Sequence, residues 1–128
     1  MKLLADTHIL MWAAIAPEKL SMAAATALKD ESNQLFYSAA SIWEVAIKSA
    51  LHKTNFNTDA RVLYRGLLDA GYIEFPVTSE HAAMVYSLPL IHKDPFDRIL
   101  IAQATVEGIT LLTSDRQVAK YPGPIRKV

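Results

Sequence analysis

Apolar and polar positions follow a pattern that alternates between short buried runs and helical spacing. Residues 2–5 form a short apolar run that predicts a strand, and the apolar segment at residues 9–12 predicts a buried helix that ends before Pro17. The same succession returns at residues 34–37, a second strand candidate, which is followed by helical spacing of apolar residues from Ile42 to Leu51. A strand that leads directly into a helix is therefore the repeating unit.

Capping and helix-ending residues delimit the other elements. Ser21 is suited to cap a helix that runs through about Ser32, and Thr58 or Asp59 to cap another that ends at Gly71. The remaining predicted elements are a strand at 72–77, a helix from Thr78 or Ser79 to Pro89, a helix from Phe96 to Glu107 stopped by Gly108, a strand from Ile109 to Thr113, a short helix from Asp115 to Lys120 and an edge strand at 125–128.

Strands that alternate with helices along a whole chain indicate a parallel sheet. We therefore predict the α/β class, with a central parallel β-sheet flanked by α-helices on both faces. A length of 128 residues suits one domain, so residues 1–128 are expected to form a single unit.

Composition and charge narrow the possible functions. Thirteen basic and thirteen acidic residues cancel, so any attraction to nucleic acid must be local. The chain has no cysteine, which excludes disulfides and thiolate chemistry and fits a reducing cytoplasm. The longest apolar stretch, residues 9–16, is far below the roughly 18 residues of a membrane-spanning helix, and the amino terminus shows no export signal.

Two acidic residues stand where strands are predicted to end. Asp6 follows the first strand, and Asp115 follows the strand that ends at Thr113. Ligands of open parallel sheets bind outside the carboxyl ends of the strands, so both side chains are candidates for one site. The alternative for each residue alone is a helix N-cap, because aspartate readily accepts hydrogen bonds from the first N–H groups of a helix.

Three further acids carry a similar ambiguity. Glu44 lies within an apolar helical pattern, where a glutamate facing the core needs a positive partner; the alternative is a solvent-facing pair with Lys48. Asp94 is suited to cap the helix that Pro95 opens, which leaves Asp97 for another role. The alternative for either aspartate is a favourable charge at the helix N-terminus.

Carboxylates that converge without a counter-charge repel one another, so such a cluster needs a cation. All-oxygen ligation selects a hard ion, Mg²⁺ or Mn²⁺. The four histidines show no paired spacing of a zinc motif, and we interpret them as surface or loop residues; they are His8, His52, His81 and His92.

Four segments in this order resemble the PIN-domain family, specifically the VapC-type toxins of toxin–antitoxin pairs: DTHILMW at 6–12, SIWEVAIK at 41–48, HKDPFDRILIAQA at 92–104 and LLTSD at 111–115. The resemblance implies a ribonuclease fold in which an acidic quartet binds Mg²⁺ or Mn²⁺ and metal-activated water cuts RNA. By this resemblance the quartet falls on Asp6, Glu44, Asp97 and Asp115. Asp94, three residues before Asp97 on the same helical opening, either reaches the same ion as a neighbour or only caps the helix.

Other residues next to the acids are candidates for contacts with substrate. By resemblance, the hydroxyls of Thr7 and Ser114 hold a ligand or a water molecule. Three basic side chains adjacent to the acids are candidates to hold RNA phosphates, and the alternative is surface solvation or ion pairing with the quartet; they are Lys48, Arg98 and Arg116.

The resemblance also implies a homodimer bound by a cognate antitoxin. Interface candidates, for which ordinary core packing is the alternative, are Met11, Trp12, Ile15, Met22 and Leu28. Two other functions compete with the nuclease. One is a phosphohydrolase with Asp6 as covalent nucleophile, although such enzymes want a second aspartate where this chain has His8. The other is a non-catalytic protein-binding module.

Overall fold

Five parallel strands form one sheet in the order β3-β2-β1-β4-β5, in a computed structural model that describes residues 1–53 and 56–128. The strands are β1 (Lys2–Ala5), β2 (Gln34–Ser38), β3 (Ile73–Phe75), β4 (Thr110–Thr113) and β5 (Ile125–Lys127). The α-helices are α1 (Thr7–Ile15), α2 (Met22–Lys29), α3 (Ala39–Ala50), α4 (Ala60–Asp69), α5 (Ser79–Met84) and α6 (Pro95–Glu107). Single 3₁₀ turns lie at Pro17–Lys19, Val85–Ser87 and Val118–Lys120.

Helices cover both faces of the sheet, as the alternating pattern predicted. Successive strand residues point to opposite faces, and accordingly Leu3 and Leu4 of β1 belong to two different core clusters. Leu3 packs in a cluster that includes buried residues of α1 to α4, whereas Leu4 packs with α6 and the segment that follows α5. The predicted α/β class with a parallel sheet between helical layers is confirmed.

The strand order creates a topological switch at β1. The chain proceeds from β1 to β2 and β3 on one side, then crosses through α5 and α6 to β4 and β5 on the other side. In open parallel sheets, ligands bind beyond the carboxyl ends of the strands at such a switch. The residues that follow β1 and β4 therefore lie where this fold favours a site.

Several predicted elements are shorter than expected. The helix predicted from Thr78 or Ser79 to Pro89 is α-helical only over Ser79–Met84 and continues as the 3₁₀ turn Val85–Ser87. Helix α2 ends at Lys29 rather than about Ser32, because the Asp30 carboxylate accepts hydrogen bonds from the backbone N–H and hydroxyl of Ser32 and forms a turn. Strand β3 ends at Phe75, before Pro76, which has no N–H for the ladder. The predicted helix from Asp115 to Lys120 is reduced to one 3₁₀ turn.

Within the described residues, no helix is both long and apolar enough to cross a membrane.

Candidate active site

A cleft of about 610 Å³ opens beyond the carboxyl ends of β1 and β4. Its wall contains all five acids that the sequence singled out: Asp6, Glu44, Asp94, Asp97 and Asp115. They come from the segments that follow β1 and β4 and from helices α3 and α6, which are distant in sequence. The fold therefore brings the predicted acids to one place.

Asp6 is buried at the floor of this cleft and holds the β1–α1 junction. One carboxylate oxygen caps α1 by accepting a hydrogen bond from the Ile9 backbone N–H at 3.0 Å, and the other accepts from the Thr113 hydroxyl at 2.6 Å. Burial raises the pKa of Asp6 and the charge of Asp115 adds to this, against the hydrogen bonds from Thr113 and Ile9. Asp6 is thus both an N-cap and a member of the cleft.

Glu44 is 2% exposed and projects from α3 into the cleft with two short contacts. One carboxylate oxygen lies 2.6 Å from the Thr7 hydroxyl, and the other lies 2.6 Å from Lys48 Nζ. The Thr7 hydroxyl is also 2.9 Å from the Ser41 hydroxyl; because it has one proton, it donates to the carboxylate and accepts from Ser41. The hydrogen bonds from Ser41 to Thr7 and from Thr7 to Glu44 fix the orientation of the Glu44 carboxylate.

Lys48 balances part of the negative charge. Its ammonium contacts Glu44 at 2.6 Å and Asp94 at 3.5 Å. Partial burial works against the charge, but the contacts with Glu44 and Asp94 outweigh it and raise the pKa of Lys48. The pairing with Lys48 anticipated as the alternative for Glu44 therefore exists, but it lies in the cleft and not at the solvent-facing surface.

Asp94 and Asp97 open helix α6 in different ways. Asp94 caps the helix by accepting hydrogen bonds from the backbone N–H groups of Phe96 and Asp97. Asp97 Oδ2 shares a hydrogen bond of 2.8 Å with His92 Nε2. Burial raises the pKa of Asp97 to about 7; the charges of Asp94, Glu44 and Asp6 add to this, while the bond to His92 opposes it. The negative charges of three other acids in the cleft therefore act on Asp97.

Asp115 and its neighbours form the β4 side of the cleft. Asp115 accepts hydrogen bonds from the backbone N–H groups of Gln117 and Val118 and so stabilises the turn that precedes the 3₁₀ turn Val118–Lys120. Ser114 lines the cleft beside it, as predicted from the resemblance. Arg116 is exposed and does not belong to the cleft lining.

Arg98 is oriented away from the predicted role. It is 8% exposed, and its guanidinium donates to the Tyr121 hydroxyl at 2.9 Å and to several backbone carbonyls. Those carbonyls belong to Val85, Leu88, Pro89 and His92. This arrangement contradicts the prediction that Arg98 holds an RNA phosphate, because its donors are already bound inside the protein.

His81 departs from the interpretation of the histidines as surface or loop residues, whereas His92 fits it but has a further contact in the cleft. His81 is 2% exposed, and its Nδ1 accepts a hydrogen bond from the Thr78 backbone N–H in a capping box at the start of α5. His92 does lie in a loop, but its ring lines the cleft beside Asp97. The sequence contained one signal for a place of His92 in the cleft: it lies two residues before the capping Asp94 and five residues before Asp97.

The donor set of the cleft suits a divalent cation. Five carboxyl groups share the wall with Lys48. Burial raises the pKa of Asp97, and repulsion by Asp94, Glu44 and Asp6 raises it further. A bound divalent ion removes that repulsion, and carboxylate oxygens are the preferred ligands of hard cations. In the part of the chain that the structure describes, His92, Asp94 and Asp97 also place one ligand atom each within 4.8 Å of one another.

Known proteins resemble this chain over nearly its full length. Ribonuclease VapC22 of Mycobacterium tuberculosis (strain ATCC 25618 / H37Rv) is 29% identical over 126 residues, 95% of each chain. The crystal structure of VapBC2 from Rickettsia felis bound to a promoter DNA fragment contains a chain that superposes with a TM-score of 0.73 at 13% identity, covering 100% of this chain and 99% of that one.

A chain in the structure of DNA-bound VapBC from Salmonella typhimurium gives a TM-score of 0.69 at 14% identity, covering 99% of this chain and 98% of that one. These two likenesses concern the fold. The family described as the PIN domain matches residues 3–124 by its sequence profile, and this span contains all five acids of the cleft. The chain therefore belongs to the PIN-domain family.

Proposed function

We propose that this protein is a divalent-metal-dependent endoribonuclease that acts as the toxin of a VapC-type toxin–antitoxin pair. The observation that carries the proposal is the meeting of Asp6, Glu44, Asp97 and Asp115 in one cleft of a PIN domain. The name of the relative, a ribonuclease, supports RNA as the substrate.

Asp6, Glu44 and Asp97 are the residues that would hold the ion, with Asp115 and Asp94 beside them. When bound, Mg²⁺ or Mn²⁺ supplies an activated water for attack on the RNA phosphodiester and positive charge for the developing oxyanion. Thr113 keeps Asp6 oriented and Thr7 keeps Glu44 oriented, so neither carboxylate has to be ordered when the ion arrives.

Substrate contacts are proposed for two side chains of the cleft. Lys48 is the basic residue next to the acids that remains a candidate for a scissile phosphate, since Arg98 is bound elsewhere and Arg116 lies off the cleft. Ser114 offers a hydroxyl at the β4 rim for a phosphate oxygen or a water molecule. The expected location of such an enzyme is the cytoplasm, where its RNA substrates are.

Two kinds of protein partner belong to the proposal: a cognate antitoxin and a second copy of the chain. The two VapBC structures that share this fold support the antitoxin as a partner. Among the predicted interface residues, Met22 is 85% exposed and Ile15 is also exposed, whereas Met11 is buried and belongs to the core. Sedimentation of the purified chain tests the homodimer, which would give twice the mass of 14.2 kDa.

The nuclease is tested by incubating RNA with the purified chain and Mg²⁺ or Mn²⁺, alongside the variants Asp6→Asn and Asp97→Asn. Each substitution keeps the shape of the side chain but removes a carboxylate charge, so we expect at least a ~100-fold loss of cleavage, and complete loss with EDTA. Asp69→Asn, an exposed carboxylate at the end of α4, serves as the control and should cleave like the wild type.

Cleavage that survives EDTA, or that persists in both cleft variants, would contradict the proposal. A folded wild type that binds the ion and an antitoxin but cleaves no RNA would favour the protein-binding module instead. A covalent aspartyl-phosphate trapped on Asp6 would favour a phosphohydrolase.

A further inference from the structure

His92, Asp94 and Asp97 form a mixed nitrogen and oxygen cluster at the start of α6. One ligand atom of each residue lies within 4.8 Å of the other two, and all three side chains line the cleft. Of these three residues, only Asp97 belongs to the proposed quartet of acids. His92 and its Nε2 atom are not explained by an all-oxygen site.

The distances suit ligation of one ion. Two adjacent ligands of an octahedral ion, each at about 2.1 Å from it, are separated by about 3.0 Å, and two opposite ligands by about 4.2 Å. His92 Nε2 and Asp97 Oδ2 are 2.8 Å apart, close to the adjacent spacing. The upper limit of 4.8 Å for the whole cluster exceeds the opposite spacing by roughly half an ångström, which side-chain rotation can absorb.

The backbone of His92 is held in place from two directions. Its N–H donates to the Tyr121 hydroxyl at 2.8 Å, and its carbonyl accepts from that hydroxyl at 3.0 Å. Arg98 adds a contact to the same carbonyl at 3.4 Å. A ligand that binds a metal ion tightly needs a fixed backbone, and Tyr121 and Arg98 supply one for His92.

We propose that His92 is a direct nitrogen ligand of the ion in this cleft, so that the site prefers Mn²⁺ to Mg²⁺. The inference rests on the proposed function, because it concerns the same ion. Imidazole nitrogen is a softer ligand than carboxylate oxygen and suits first-row transition ions, while Mg²⁺ keeps to oxygen ligands and dehydrates reluctantly. Adding one imidazole to two or more carboxylates therefore shifts selectivity towards Mn²⁺.

The test is pulsed electron paramagnetic resonance of Mn²⁺ bound to the full chain, because nitrogen bonded to Mn²⁺ modulates the echo signal. The wild type is compared with His92→Gln and with His8→Gln, which removes another histidine of the same cleft. ¹⁵N-histidine labelling assigns the nitrogen signal. We expect the signal in the wild type and in His8→Gln and its loss in His92→Gln.

The ratio of Mn²⁺ to Mg²⁺ affinity, measured by competition, gives a second readout that does not depend on cleavage. We expect the ratio to fall about tenfold in His92→Gln and to stay unchanged in His8→Gln. Circular dichroism of each variant checks that the fold is retained.

Bound Mn²⁺ without a histidine nitrogen signal in the wild type would overturn the role of His92 and leave the proposed nuclease intact. A signal that persists in His92→Gln would overturn it equally. Failure of the wild type to bind Mn²⁺ or Mg²⁺ at all would overturn both the ligand role and the proposed function.

Discussion

At the residue scale, the contacts of Glu44 explain how a buried carboxylate is tolerated before any ion binds. Its two oxygens are satisfied by Thr7 and by Lys48, each at 2.6 Å. Removing one partner of a buried charge costs more than the pair contributes, because the remaining charge has lost its compensation. Lys48 therefore stabilises the fold while it occupies a contact that a divalent ion would share.

Lys48→Met should lower the free energy of unfolding by about 2 kcal/mol in EDTA, a value reduced for the partial exposure of Lys48. Saturating Mn²⁺ should restore part of this loss, because the ion supplies the missing positive charge and binds only the folded chain. Urea unfolding with and without Mn²⁺ measures both effects.

Lys29→Met, at an exposed position in the last turn of α2, provides the matched control and should change stability by less than about 0.5 kcal/mol. Equal stability losses for Lys48→Met with EDTA and with Mn²⁺ would contradict the idea that the lysine and the ion compensate the same carboxylate.

The role of a residue could be predicted where it depends on neighbours in the sequence, and not where it depends on a contact with a distant residue. Asp6 and Asp115 were recognised because they follow strands. Asp6 is also the N-cap of α1, so both interpretations of that residue hold, whereas Asp115 stabilises a turn. The role of Arg98 could not be predicted, since its partner Tyr121 lies 23 residues further along the chain. Nothing in the local pattern around Arg98 distinguishes a buried guanidinium from an exposed one.

At the element scale, Arg98 joins α6 to the segment that precedes it. The guanidinium donates to carbonyls of the 3₁₀ turn after α5 and of the loop that carries His92. The Val85 carbonyl also accepts from the Leu88 N–H at 3.2 Å, and the His92 carbonyl also accepts from the Tyr121 hydroxyl at 3.0 Å. Arg98 of α6 and Tyr121 therefore hold this irregular segment together.

Arg98→Leu should destabilise the protein by about 3 kcal/mol, because it removes the Arg98 donors from the Leu88 and Pro89 carbonyls and from the buried contact with the Tyr121 hydroxyl. Arg98→Lys should recover only part of this, since one ammonium lacks the planar fork of donors. Chemical denaturation measures both, with Arg116→Leu as the exposed control.

Stability equal to the wild type in Arg98→Leu, together with weaker RNA binding, would restore the phosphate-binding interpretation of Arg98.

Most helix starts were predictable to within a residue or two, although α3 begins at Ala39, three residues before the helical spacing that starts at Ile42. Several helix ends were not predictable. Ser21, Thr78 and Asp94 are observed caps, each accepting a hydrogen bond from a backbone N–H of its helix. The ends depended on competing local contacts, such as the turn that Asp30 forms with Ser32. A capping side chain contacts a backbone N–H within three residues, so it can be recognised from the sequence. Whether a helix continues for another turn or ends in a side-chain-stabilised turn depends on small differences in free energy.

At the scale of the whole molecule, the strand order makes a site from residues that are far apart in sequence. Asp6 and Asp115 meet because β1 and β4 are neighbours in the sheet, although 109 positions separate the two aspartates. Alternation of strands and helices predicted the parallel sheet but not the order of its strands. Hydrophobic periodicity carries no information on which strands pair.

The balanced total charge predicts weak dependence of RNA binding on salt. Thirteen basic and thirteen acidic residues cancel, and the lysines that line the cleft are Lys19 and Lys48. Each phosphate neutralised on a single strand contributes a slope of about −0.7 in log affinity against log salt, so we expect about −1.4. Fluorescence anisotropy with the inactive Asp97→Asn variant measures it.

A slope steeper than about −4 would mean contact with six or more phosphates and an extended basic track elsewhere on the surface.

Anomalous diffraction from crystals soaked in Mn²⁺ would show whether the acids of the cleft form one divalent cation site. We expect the strongest anomalous peak in the cleft, within ligand distance of carboxylate oxygens of both Asp6 and Asp97, and its disappearance in Asp97→Asn crystals. Mn²⁺ peaks confined to other parts of the surface, in wild-type crystals whose cleft is open to solvent, would mean that the acids of the cleft do not form a cation site.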